Sequence, residues 1–253
     1  MMAITLKSSR EVALMRSSGI VVAEVLALMR EHVRPGVTTG ELNRIAHEAI
    51  VSRGAVPSFL GYEGFPGSIC TSINEQVVHG IPGRRRLHEG DIVSLDVGAI
   101  LDGYHGDAAL TLPVGEVSDA ARRLIEATEG AFWAGMAELR PGNRLGDVAA
   151  AIQEHAESRG FSLVRDFSGH GIGQEMHEEP SVPNVGERGT GLRLRAGMTL
   201  AVEPMLTAGG PDTDVLADKW TVVTADGSLA AHFEHTVLVG EDGPVLLTAP
   251  AEV

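Results

Sequence analysis

The sequence predicts an α/β fold of two similar halves, each an antiparallel sheet covered by helices, and three observations carry that expectation. First, the stretch RPGVTTGELNRIAHEAIVSRG (34–54) aligns without gaps on RPGNRLGDVAAAIQEHAESRG (140–160). The matched RPG and SRG borders make this more than two amphipathic helices that happen to look alike, and a doubled helical unit implies halves related by a pseudo-twofold axis. Second, DIVSLDVGAILDGYHGDAALT (91–111) reads as an apolar strand, a tight turn and a second strand. Asp102-Gly103 between apolar runs is a hairpin signal, because glycine accepts the positive φ that a two-residue turn demands. Third, each of the two helical units is followed by short apolar strands.

Taken in order, Ser8 or Ser9 caps a first helix with Glu11 in its first turn, and Val12, Met15, Gly19, Val22, Leu26, Met29 and Val33 follow helical spacing to a stop at Pro35-Gly36. A second helix starts at Thr38-Thr39 and runs to Gly54, a glycine stop. Residues 56–68, rich in glycine, proline and aromatics, read as loop. Short strands cover 69–73 and 76–78 and lead to His79-Gly80. After the hairpin, Ser118 caps a third helix that ends at Arg140-Pro141-Gly142, and a fourth runs to Gly160. The second half continues with a Gly- and His-rich stretch at 168–180, a strand at 198–203, and strands at 220–224 and 229–239 joined by Ala225-Asp226-Gly227. No linker or low-complexity segment divides residues 1–253, so a single domain is expected.

Composition narrows the function. The 253 residues are 43% hydrophobic and carry a formal net charge of −14, which argues against nucleic acid and anionic membranes as partners. One cysteine, Cys70, rules out an internal disulfide framework and fits a reducing cytoplasm. The N-terminus lacks the uninterrupted apolar core of a signal peptide, and the apolar run 20–29 is interrupted by Glu24 and too short to span a bilayer.

The chemistry starts in the hairpin. A turn centred between Asp102 and Gly103 puts Gly98 opposite Asp107 and Asp96 diagonally across from it, about 7–8 Å away at Cα. Aspartate is depleted in strands, and two facing carboxylates repel, so burying them among Ile92, Val93, Leu95 and Val97 calls for a divalent cation or two. Three more polar residues stand in apolar or glycine-rich settings: His170 between glycines, Glu203 at the end of MTLAVE and Glu234 inside FEHTVLV. Each alone reads as an ordinary core histidine or solvated carboxylate. Together the five form a mostly oxygen donor set with one imidazole, which suits two ions of the manganese, iron, cobalt or zinc type rather than a Cys-rich structural zinc. Four carboxylates balance two divalent charges. HExxH, GxSxG, paired CxxC and P-loop signatures are absent.

In their order, SINEQVVHGIP, LDVGAILDGYHGDAALT, GHGIG followed by HEEP, AVEP and FEHTVLV resemble the type I methionine aminopeptidases along essentially the whole chain. A chain that starts directly at its first helix resembles the short bacterial form. The resemblance implies the "pita-bread" fold of the creatinase/aminopeptidase family and removal of an initiator methionine when the second residue is small. It implies that Asp96 chelates one ion, His170 and Glu203 hold the other, and Asp107 and Glu234 bridge both. Glu203 would be the general base, and His79 and His177 would contact the scissile amide. Tyr62, Phe65, Cys70, Trp220, Phe59 and Met176 would form the methionine pocket. Phe59 and Met176 depart from the small cysteine and the aromatic expected there. Gln174, where arginine is usual, and Pro183-Asn184-Val185-Gly186 after HEEP also depart.

The implied partner is the N-terminus of a nascent polypeptide, met by a cytoplasmic monomer. Loop 208–219 is acidic where ribosome-binding relatives tend to be basic, so any ribosome association is expected to be weak. The rivals are an Xaa-Pro aminopeptidase or prolidase-like enzyme, which usually carries an additional N-terminal domain, and a non-catalytic binding member of the same fold, which typically loses metal ligands.

Overall fold

The computed structural model describes residues 4–250. Four helices, α1 (Ser9–His32), α2 (Thr39–Ser52), α3 (Asp119–Glu138) and α4 (Leu145–Ser158), cover a nine-stranded sheet in which every pairing is antiparallel. Its order runs from Val56–Pro57 through Ile92–Leu101, Tyr104–Pro113, Glu234–Val239, Thr199–Val202 and Gly169–Gly171 to Glu178–Val182. The two halves of the chain thus meet between Tyr104–Pro113 and Glu234–Val239, where Ala109 lies opposite Glu234. Cys70–Ile73 also joins Ile92–Leu101, with Cys70 opposite Asp96. Two three-stranded sheets flank this core, one of Ser162–Leu163, Met205–Thr207 and Ala230–His232, the other of Gln76–Val78, Thr213–Val215 and Val222–Thr224.

The hairpin forms as its sequence dictates. Leu101 pairs with Tyr104, Gly98 with Asp107 and Asp96 with Ala109, while Asp102 and Gly103 take φ of 52° and 80°. Both central residues are left-handed, the geometry of a type I′ turn.

Helix α1 begins at a Ser8 cap whose hydroxyl accepts the Glu11 N–H while the Glu11 carboxylate accepts the Ser8 N–H. By length and composition α1 could cross a membrane, yet half of its most apolar stretch is buried in the fold. Val22, Val25, Leu26 and Met29 enter the main core. Close approach of α1 to the hairpin depends on Gly106, since a Cβ there would lie 2.8 Å from the backbone nitrogen of Gly19.

Four boundaries differ from the sequence expectation. α3 stops at Glu138, before the Arg140-Pro141-Gly142 turn. The run 220–224 pairs only from Val222, because the Asp218 side chain holds the N–H groups of Trp220 and Thr221 in a turn. The run 229–239 is two strands: Phe233 leaves the ladder and bonds Pro204 O, so Ala230–His232 pairs with Met205–Thr207 while Glu234–Val239 joins the large sheet. The expected loop 56–68 includes a two-residue strand, Val56–Pro57, and a 3-10 turn at Tyr62–Gly64.

Candidate metal centre

Five neighbouring strands of the large sheet bring one residue each, within or just beyond the strand, to a common point. Asp96 comes from Ile92–Leu101, Asp107 from Tyr104–Pro113, Glu234 from the first position of Glu234–Val239, and His170 from the middle of Gly169–Gly171. Glu203 follows directly on Thr199–Val202, and the Asn184 side chain donates to the Glu203 carbonyl at 3.0 Å. Ligand atoms of Asp107, His170 and Glu234 lie within 4.8 Å of one another. His170 Nε2 is 3.6 Å from Glu203 Oε1 and 4.0 Å from Asp107 Oδ2. The other ring nitrogen, Nδ1, donates to the Gly171 carbonyl at 2.8 Å, which leaves Nε2 as the lone-pair nitrogen facing the carboxylates.

The electrostatics are those of a cation site. Burial pushes the Asp96 carboxyl up to about 7. Burial, followed by the neighbouring carboxylates, pushes Asp107, Glu203 and Glu234 well above the usual carboxylate range. Burial also lowers His170 to about 4, so its imidazole is neutral at pH 7. Asp96 Oδ1, Asp107 Oδ1 and Glu234 Oε1 are buried without a hydrogen-bond partner. Buried polar atoms are ordinarily satisfied, and a group of converging carboxylates is satisfied by cations rather than by one another. The donor set fits divalent ions of the borderline type.

These residues form the floor of a cavity of about 350 Å³ that is lined by every site residue the sequence singled out, and by Glu63 as well. Phe59, Phe65, Cys70 and Met176 are buried in one cluster, with Tyr62 and Trp220 against it. Gly98 makes room for Phe59, since a Cβ at Gly98 would lie 2.8 Å from the phenyl ring. Trp220 and Phe65 pack edge to face at 5.1 Å. Burial, then Asp96, pushes the Cys70 thiol well up, so it stays protonated and serves as wall.

His79 is left-handed at φ 59° and rests its ring edge against Phe167 and Trp220. A non-glycine residue in that region is a strained position, held here beside the carboxylates. The His177 ring centroid is 4.3 Å from that of His170, and the Tyr62 hydroxyl is 2.7 Å from His177 Nδ1. That contact leaves the His177 Nε2 face available to the cavity.

Two residues escaped the sequence reading. Glu63 sits on the cavity in a left-handed turn, φ 46°, and nothing in its local sequence marks it. His232 is buried with Nε2 3.7 Å from Glu234 Oε2 and 3.9 Å from Glu203 Oε2. It lies two positions before Glu234, but Phe233 leaves the ladder between them, so strand alternation does not carry from one to the other.

Comparison with known proteins agrees with this geometry. Residues 13–241 match the model of metallopeptidase family M24. The chain is 50% identical over 242 residues to methionine aminopeptidase 1 of Bacillus subtilis, covering 96% of this chain and 98% of that protein. The crystal structure of methionine aminopeptidase from Rickettsia prowazekii superposes with a TM-score of 0.96 at 47% identity, covering 97% of this chain and all of that one. An Xaa-Pro dipeptidase from Bacillus anthracis shares the fold, with a TM-score of 0.79 at 22% identity, but this chain spans only 63% of its length. The five-strand carboxylate and imidazole cluster therefore has a family context: the chain belongs to metallopeptidase family M24, among its bacterial methionine aminopeptidases.

Proposed function

We propose that this chain removes the initiator methionine from nascent polypeptides whose second residue is small, by hydrolysis at two divalent ions held by Asp96, Asp107, His170, Glu203 and Glu234. The observation that carries the reading is the position of four buried, mutually repelling carboxylates at the floor of an apolar, aromatic-walled cavity. When bound, the ions offset that repulsion and supply the Lewis acidity that makes hydroxide available near neutral pH.

The protein's own groups do the rest. Glu203 is the general base: it takes the proton of the attacking water and returns it to the leaving amine, a role favoured by burial that raises its proton affinity. His177, with Nδ1 engaged by Tyr62, turns Nε2 toward the scissile carbonyl and stabilises the charge that develops on its oxygen. His79, which also lines the cavity, does the same. Burial lowers His79 to about 4, so it acts as a neutral donor rather than as a cation. Phe59, Tyr62, Phe65, Cys70, Met176 and Trp220 enclose the thioether, which gains from contact with aromatic walls. Phe59 and Met176 narrow that slot with larger or more flexible groups than expected there.

The setting is cytoplasmic, the working form monomeric, and ribosome contact weak because loop 208–219 is acidic. Hydrolysis of Met-Gly-Met and of Ala-Pro by chelator-treated protein, before and after addition of cobalt or manganese, tests the reading. Metal-dependent release of methionine from the first peptide alone is the expected result. Cleavage of Ala-Pro would move the activity to the Xaa-Pro peptidases, and cleavage of neither with metal bound would favour a binding protein.

A further inference from the structure

His232 is a buried imidazole at the metal centre to which the family resemblance assigns no role. It is 2% exposed, and its Nε2 has no hydrogen-bond partner. The ring is not there by looseness of the chain. Thr111 Oγ1 accepts the His232 N–H and donates to the His232 carbonyl, both at 2.9 Å, so the backbone is clamped to the neighbouring hairpin.

The distances from Nε2 to its nearest acceptors, 3.7 Å to Glu234 Oε2 and 3.9 Å to Glu203 Oε2, are too long for hydrogen bonds. They are close to what a shared cation produces. Two ligand atoms each about 2.1 Å from one ion at tetrahedral angles lie about 3.4 Å apart. His170 Nε2 stands 3.6 Å from the other oxygen of the same Glu203, so the carboxylate has one imidazole on each side at nearly equal range. Ligand atoms of Asp96, His232 and Glu234 fall within 4.8 Å of one another, just as those of Asp107, His170 and Glu234 do. The centre is therefore a pair of three-residue groups that share Glu234, and each contains one imidazole.

We propose that His232 Nε2 is a sixth protein ligand of the metal centre, bound to the ion that Asp96 and Glu234 hold. The inference rests on the two-ion reading above and changes the chemistry of the second position. Without His232 that ion would meet carboxylates alone, a hard site suited to manganese or magnesium. With an imidazole added, both positions favour cobalt, iron or zinc.

The test counts imidazoles in the unmutated protein. Chelator-treated chain is loaded with two equivalents of Co(II), and X-ray absorption and paramagnetic proton NMR are recorded. The expected result is an average of one imidazole per cobalt and two hyperfine-shifted N–H signals that vanish in deuterated water. One of the two signals should be missing in His232→Gln, and calorimetric titration of that variant should show one of the two ions weakened by tenfold or more, the loss that even an outer partner causes. Two bound ions with half an imidazole each and a single exchangeable signal would overturn the assignment of His232 and leave the five-ligand reading standing. Failure of the wild-type chain to bind cobalt would overturn both.

Discussion

The two halves dock their helices in the same way but connect their metal-bearing strands differently. In the first half the N–H groups of Thr39 and Gly40 bond Arg85 O and Gly83 O, and Thr38 bridges to Arg86. In the second, Leu145 and Gly146 bond Leu192 O and Thr190 O, and Arg144 bridges to Arg193. The carboxylate strands then diverge. Asp102 and Gly103 alone join the strands that carry Asp96 and Asp107, whereas residues 203–233 separate those that carry Glu203 and Glu234. That long connection provides Trp220 to the cavity wall and His232 to a buried position beside Glu203 and Glu234. Similar helix docking thus accompanies carboxylates that both halves bring to one sheet. Both halves also line the cavity, but only the second closes it with a residue from the connection between its carboxylate strands, Trp220.

The largest effects should come from the ligands, and they should differ between halves. Asp107→Asn keeps the shape of a first-half residue but removes a charge from the centre. We expect loss of metal-dependent activity together with a thermal midpoint, in chelator, at or above that of the wild type, because a repelled buried carboxylate has been neutralised. Glu203→Gln in the second half should lower kcat on the order of 10²–10⁴-fold with little change in KM, the usual contribution of a general base. Wild-type turnover in either variant would break the assignment of that half.

A smaller, graded effect follows from the shifted acids and bases. A carboxyl whose folded pKa lies above its unfolded value costs stability as pH rises between the two. Asp96 spans 3.8 to about 7, and Asp107, Glu203 and Glu234 are also raised well above their ordinary values. Histidines with lowered folded values work the other way: His79 and His170, at about 4 against an ordinary 6.5, cost stability as pH falls below 6.5. Above pH 6.5 the lowered histidines shed only the last of their unfolded-state protons, and the four raised carboxylates dominate. The midpoint of chelator-treated protein should therefore fall from pH 6.5 to pH 8, and divalent metal should flatten that slope because it favours the ionised carboxylates. A midpoint that rises over the same interval in chelator would contradict the repulsion.

Legibility followed the same division. The first-half hairpin could be read to the residue, because a two-residue turn fixes register and register fixes which side chains share a face. The repeat was legible because identical borders survive in sequence. The second half was legible only in part. Glu203 and Glu234 stand out as charges in apolar runs, but His232 lies in a strand that pairs away from Glu234 after the break at Phe233, and that break depends on the Pro204 contact rather than on local pattern. The α3 terminus and the Asp218 turn were missed for similar reasons: Arg140 Nε and Asn143 Nδ2 donate to the carbonyls of Ala137 and Glu138 at the helix end, and Asp218 accepts the N–H groups of Trp220 and Thr221.

The docking glycines rank the halves by packing. A Cβ on Gly40 would lie 2.9 Å from Gly83 O, while one on Gly146 would press closer still on Glu187 O and meet Thr190 Oγ1 at 2.5 Å. Overpacking costs about 1–3 kcal/mol, so Gly146→Ala should sit near the upper end and Gly40→Ala near the lower in urea melts. Equal losses would mean that the second copy relaxes as easily as the first.

The smallest difference lies at the caps. Thr38 and Glu41 exchange both bonds of a capping box, at 3.1 and 2.8 Å, so α2 has a side-chain acceptor for its third N–H. Arg144 offers no acceptor at the matching place. There Asp147 accepts the Arg144 N–H and the Gly189 N–H, both at 2.7 Å, and so ties α4 to the loop that covers it. Thr38→Ala should therefore cost about 1 kcal/mol, the usual value of an N-cap, with kcat unchanged. Asp147→Asn should cost less at the helix end itself but loosen the 187–191 loop, because an amide accepts more weakly than a carboxylate. Hydrogen exchange separates the two: faster exchange confined to the first turn of α2 in one variant, and spread to Gly189 in the other. The same pattern in both variants would mean that the copies differ in residue names only, and that the asymmetry of this molecule is confined to its pocket.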